Sequence, residues 1–107
     1  MMIEHVHLHI KADMSQDFEL AFQQAKEIIY PADGLNAVQL IKNIDDPHRY
    51  ILLIFWDTLE DHTEGFRKSA AYLQWKTLLH PFYDPMPEVE YYQPCMLMKK
   101  KPLLEPE

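Results

Sequence analysis

The chain has 107 residues, 10 of them Lys or Arg against 17 Asp or Glu, and a formal net charge of −7. That length allows one domain with a thin core, and the acidic balance, with a pI of about 5.2, argues against a phosphate backbone as the main partner. Only two glycines are present, Gly34 and Gly65, which excludes Gly-rich phosphate loops and the dinucleotide fingerprint.

No apolar run reaches the roughly 18 residues that a membrane span needs. Met1-Met2-Ile3-Glu4-His5 lacks the basic flank and apolar stretch of a signal peptide. A single cysteine, Cys95, makes no internal disulfide. A cytoplasmic location is expected on these grounds. An apolar content of 48% with 12% aromatics marks a folded chain.

Residues 3–11 alternate with period two. Val6, Leu8 and Ile10 point one way; His5, His7 and His9 point the other; this is a strand. Phe18, Ala21, Phe22, Ala25, Ile28 and Ile29 then recur at helical spacing, with Asp13 or Ser15 as the expected N-cap. Pro31-Ala32-Asp33-Gly34 ends that helix. Residues 35–44 read as a second strand. Asp45-Asp46-Pro47-His48 is a turn. Residues 50–56 form a β-branched and aromatic run, apolar on both faces, and are expected as a central strand. Thr58 and Asp61 form a variant capping box, and Leu59, His62 and Phe66 share the helical face that follows. Ser69 caps a further helix carrying Tyr72, Leu73, Trp75, Leu78 and Leu79. Pro81, Pro85 and Pro87 stiffen a loop, and residues 89–95 read as the last strand, with Pro94 placing it at an edge. Residues 1–98 make the domain, and 99–107 a loosely ordered C-terminal tail. Its run Lys99-Lys100-Lys101 reads as solvated.

The order β-α-β-β-α-β is the ferredoxin-like arrangement, an α+β fold whose antiparallel sheet carries both helices on one face. The other face bears the histidine row and the outward side chains of the 50–56 strand. An apolar sheet face of that size is unusual on a monomer, so a homodimer packed through the sheet face is expected.

A strand ending in Trp56, the acidic cap Asp61, His62, Phe66 four residues later, the restart at Ser69, the pair Tyr72 and Trp75, and the continuation His80-Pro81-Phe82-Tyr83 resemble the antibiotic biosynthesis monooxygenase family. The resemblance implies a dimeric α+β barrel. Its members differ in function: some oxidise anthrone-type or quinol-type aromatics with O2 and no cofactor, and others degrade haem. The haem-degrading branch uses an Asn on the first strand, a Trp before the Ser restart and a later His. Those positions fall on Val6, Phe66 and Lys76, so haem degradation is not expected, although His80 lies one turn further on.

Oxidation without a cofactor needs an electron-rich substrate anion, a base and a dry aromatic pocket. On the apolar face with Leu59 and Phe66, His62 is the candidate base, with His80 second. Trp56, Phe66, Arg67, Tyr72, Trp75 and Phe82 are the candidate substrate-binding residues. Each has a plainer reading beside it. His62 reads equally as a core histidine bonded to a backbone carbonyl, the aromatics as core packing, and Arg67 as the surface partner of Glu64 or Asp61. The loop from His80 to Pro85 either closes the pocket mouth or sets the angle into the last strand. The row His5, His7, His9 spans about 13 Å, too far to converge easily on one ion. No metal is expected there; the row faces the dimer barrel or solvent, with a pH-sensitive interface as its extension. Two functions follow: a small cofactor-free monooxygenase acting on an aromatic, phenolic or quinol-type metabolite, or a non-catalytic dimeric domain that holds such a small molecule.

Overall fold

The computed structural model describes residues 1–103. Four strands, β1 (Met2–His9), β2 (Leu35–Lys42), β3 (Arg49–Trp56) and β4 (Val89–Tyr92), form one sheet in the order β2-β3-β1-β4. All three neighbouring pairs are antiparallel. Helices α1 (Ser15–Ile29) and α2 (Ala70–Leu79) pack against each other. The architecture is the α+β ferredoxin-like one, with β1 and β3 central.

Period-two alternation divides the two central strands between the sheet's faces. Leu8, Tyr50, Leu52, Ile54 and Trp56 are buried toward the helices. They meet Phe18, Phe22, Ala25 and Ile29 of α1 and Trp75 and Leu79 of α2 in one core. Burying each of the large apolar side chains contributes about 1.5–3 kcal/mol, so the core rests on a few aromatics. Phe18 stacks edge-on against Tyr50 at 5.0 Å between ring centres.

Several boundaries differ from the sequence expectation. The N-cap of α1 is Met14, with no side-chain cap bond. Asp13 instead takes a left-handed backbone, φ 62°, and the Ser15 hydroxyl donates to the Pro47 carbonyl at 2.8 Å, tying the helix start to the β2–β3 turn. β2 stops at Lys42 because Asn43 Oδ1 accepts from the amides of Asp45 and Asp46, an Asx turn that competes with strand pairing. β4 ends at Tyr92, short of Pro94, which has no N–H to give a ladder. From Gln93 to Leu103 the chain has no regular secondary structure; the rest of the 99–107 tail lies outside the described residues.

The segment before α2 departs most from expectation. Asp61–Phe66 forms a π-helical turn, a form that often marks functional positions. The capping box precedes it: Thr58 N and Oγ1 both donate to Asp61 Oδ2, at 3.2 and 2.9 Å, and Asp61 N donates to Thr58 Oγ1 at 3.1 Å. The turn buries His62 and Phe66 but leaves Leu59 40% exposed, so the expected three-residue apolar face holds only two. Ser69 caps α2, its Oγ accepting from Tyr72 N at 3.2 Å.

Candidate functional site

Extending the β1 alternation one step toward the N-terminus places Glu4 in phase with Val6 and Leu8. Glu4 is therefore driven to the helix-covered face, where it is 6% exposed. It is the only buried acid among the described residues. Its Oε1 accepts from Trp56 Nε1 at 3.0 Å, a bond the two strands set up by placing Met2 opposite Trp56. The π turn brings His62 Nδ1 to 3.3 Å from the same Oε1. Both nitrogens of the His62 ring are enclosed and neither makes a hydrogen bond among the described residues. The expected bond from His62 to a backbone carbonyl is not formed; Glu4 Oε1 lies 3.3 Å from Nδ1 without the geometry of a hydrogen bond.

Burial drives the two groups in opposite directions, because it penalises whichever form is charged. It raises Glu4 from 4.5 to about 7, against the smaller opposing effects of the Trp56 bond and the Arg67 charge. It lowers His62 from 6.5 to about 4, with Arg67 assisting. Near neutral pH the imidazole is uncharged and the carboxyl is near its midpoint.

The pair borders a cavity of about 180 Å³. Val6 and Leu52 form its sheet side beside Glu4, and Val89 of β4 closes one edge. Tyr72 and Trp75 of α2 supply aromatic wall, and Arg67, just past the π turn, supplies a cation. His80, Tyr83, Met86 and Pro87 come from the proline-stiffened loop. His80 sits 5.4 Å from the Tyr83 ring and 6.5 Å from that of Tyr72, and burial lowers its pKa, with Lys76 adding to the effect. Burial raises that of Tyr83, the charge on Glu4 reinforcing it.

Of the residues singled out from sequence, the cavity gathers His62, His80, Arg67, Tyr72 and Trp75. It does not gather Trp56, Phe66 or Phe82. Trp56 is fully buried and acts behind the wall, through its bond to Glu4. Phe66 is sandwiched between Trp56, at 6.0 Å, and the edges of Tyr72 and Trp75, at 5.7 and 5.8 Å. Phe82 turns away to pack on Phe18 at 5.8 Å. Arg67 does not pair with Glu64 or Asp61: Glu64 pairs with Lys68, and Asp61 is engaged in its cap. Sequence reading missed Glu4 and Tyr83. The signal for Glu4 was its strand phase; an acid in phase with Val6 and Leu8 is an acid in the core.

The histidine row lies on the opposite face. His7 and His9 stack at 5.0 Å, Arg49 Nη2 approaches His7 Nε2 at 3.3 Å, and His5 Nδ1 lies 3.8 Å from Glu90. Among the described residues no group of three or more His, Cys, Asp or Glu side chains is placed to hold a metal ion, and no helix is long and apolar enough to cross a membrane.

A ferredoxin-like α+β domain with a buried carboxyl–imidazole pair at a small aromatic cavity is the class that fold and site define. The antibiotic biosynthesis monooxygenase profile matches residues 1–78, and the chain belongs to that family. The uncharacterised protein YczJ of Bacillus subtilis strain 168 is 50% identical over 93 residues, 87% of this chain and 98% of its own length. A Bordetella bronchiseptica protein classed among the antibiotic biosynthesis monooxygenases superposes with a TM-score of 0.82 at 29% identity, over 89% of this chain and 98% of that one. SnoaB of Streptomyces nogalater, a cofactor-independent oxygenase, superposes with a TM-score of 0.77 over 92% of this chain and 98% of its own. At 13% identity that likeness is one of fold.

Proposed function

We propose that the chain is a cofactor-independent monooxygenase that oxidises a small electron-rich phenolic or quinol-type aromatic with O2. The observation that carries this is the buried Glu4–His62 pair, 3.3 Å apart, at the wall of an aromatic cavity. A buried pair of titratable groups pushed apart in pKa is what proton abstraction from a weakly acidic hydroxyl requires.

The chemistry runs as follows. The pair takes the proton of a ring hydroxyl. The resulting anion passes one electron to O2, and the two radicals join through a new C–O bond. The peroxide then loses water, leaving a carbonyl. One O2 is consumed, one oxygen stays on the substrate and the other leaves as water, so no external reductant is needed. Arg67 balances the anion's charge, Tyr72 and Trp75 hold the ring flat, and His80 orients a second oxygen at the mouth. The cavity is smaller than the roughly 300–1,000 Å³ of drug-sized pockets, which favours one or two rings over a three-ring anthrone. A second copy covers the open sheet face, where Ile3, Ile51, Leu53 and Phe55 lie half-buried. The exposed lone thiol of Cys95 suits a reducing cytoplasm.

Oxygen uptake with dihydroxynaphthalene tests the reading. Expected is uptake above the uncatalysed background, with one atom of labelled O2 in the oxidised product and the other in water, lost in the Glu4→Gln, His62→Ala double variant. Tight binding of the same compound with no uptake above background would assign the chain to the non-catalytic binders instead.

A further inference from the structure

His62 is the base that the sequence suggests for this cavity, but the geometry does not allow a ligand to reach that ring's nitrogens. Resting on the oxygenase reading, we infer that Glu4 Oε2 is the atom that accepts the ligand's hydroxyl proton, and that Trp56, which bonds Glu4 Oε1, and His62, packed 3.3 Å from it, are positioning residues.

Four observations support this assignment. Both nitrogens of His62 are enclosed by protein, so the imidazole meets the cavity only through its carbons. Glu4 borders the same cavity, and neither of its oxygens is among the enclosed, unpartnered atoms. Oε1 is committed, because the Trp56 indole at 3.0 Å can only donate, while Oε2 receives no hydrogen bond from the described residues. The groups that face Glu4 also suit an anion formed beside it. Arg67 is the cation of the cavity, while burial lowers the pKa of His80 and raises that of Tyr83, so neither carries a charge near neutral pH. Tyr91, opposite Glu4 in the β1–β4 register, covers His62 at 5.7 Å between rings.

The transfer balances. The ligand's O–H bond breaks and an Oε2–H bond forms. The negative charge moves from Glu4 to the ligand oxygen beside Arg67, and nothing is oxidised. The site's total charge does not change, so the step requires no counter-ion to enter a buried space. Burial supports the role, since a carboxyl raised to about 7 is a stronger base than an imidazole lowered to about 4.

Binding of naphthol and of its methyl ether, measured without oxygen from pH 5 to pH 9, tests this apart from any turnover. A carboxylate acceptor is stronger than a neutral one. Naphthol is therefore expected to bind about tenfold tighter as the pH rises through about 7, while the ether, which has no proton to give, shows no rise. Glu4→Gln keeps an acceptor for Trp56 and removes the rise. His62→Asn keeps the rise and moves its midpoint. A rise that survives in Glu4→Gln, a rise lost in His62→Asn alone, or naphthol failing to bind at any pH overturns the assignment. Should the binding behave as expected while aerobic O2 uptake is absent, the oxygenase reading fails and Glu4 stands as the hydroxyl acceptor of a binding site.

Discussion

Glu4 and His62 make opposite contributions to stability as the pH changes, because burial opposes a negative charge on one and a positive charge on the other. Glu4 is raised from 4.5 to about 7. Its contribution is fully present below about 4.5 and is lost as the pH rises through about 7, since the folded state holds a proton that the unfolded chain has released. His62 is lowered from 6.5 to about 4. Its contribution is fully present above about 6.5 and is lost as the pH falls through about 4. The two together favour a stability maximum between pH 5 and 6. At pH 8 the ionised Glu4 lowers stability by about 3 kcal/mol. Glu4→Gln is therefore expected to raise the unfolding free energy by up to that amount at pH 8 and to change it little at pH 4, while activity falls. Urea midpoints at the two pH values check this. Equal effects at both would show that Glu4 does not change charge over the range. Stability given up at one residue in exchange for reactivity is a pattern of functional sites.

At the scale of elements, the π turn is what carries His62 to Glu4, and it is anchored through the Thr58–Asp61 cap and Gly34. Gly34 has φ 77°, its carbonyl accepts from Asp57 N at 2.7 Å, and a Cβ there would run into the Asp61 carboxylate. Gly34→Ala is expected to cost about 1–2 kcal/mol for the left-handed backbone and about 1 kcal/mol more for the displaced cap. Asp61→Ala should cost only the second part, and chemical denaturation of the two variants checks the difference. The elements themselves were legible: alternation located β1 and β3, helical spacing located α1 and α2, and Ser69 was readable as a cap because its hydroxyl bonds locally. What was not legible depended on distant contacts. Ser15 looked like a cap but bonds to Pro47, 32 residues away. The π turn looked like an ordinary helix because spacing of three and four fits both. Phe82 and Trp56 carried the right chemistry for a pocket wall, but only the packing of Phe18 and Glu4 around them decides where they point. Glu4 is legible only through its strand phase, because its side-chain chemistry alone favours solvent.

The whole molecule measures 38 × 36 × 24 Å, and only one face of its sheet is covered. Helices seal the side that holds the cavity, so the site can be complete within one chain, while the open side shows Ile3, Ile51, Leu53 and Phe55 among the histidines. On β1 and β3 these side chains alternate with the buried set, and the register puts Ile3 opposite Phe55 and His5 opposite Leu53, so they form one continuous patch. In the proposed dimer, Leu53 lies near the middle of the patch, opposite His5, where a charge would be buried against the histidine row. Leu53→Arg is expected to leave the helix-side core intact and convert a dimer to a monomer, because an unpaired buried charge costs several kcal/mol. Light scattering reads the mass, and circular dichroism checks that the fold is kept. If the wild-type chain is itself a folded monomer at micromolar concentration, the sheet face is open in solution and the dimer proposal fails, while the cavity on the other side, lined by residues of the same chain, is unaffected.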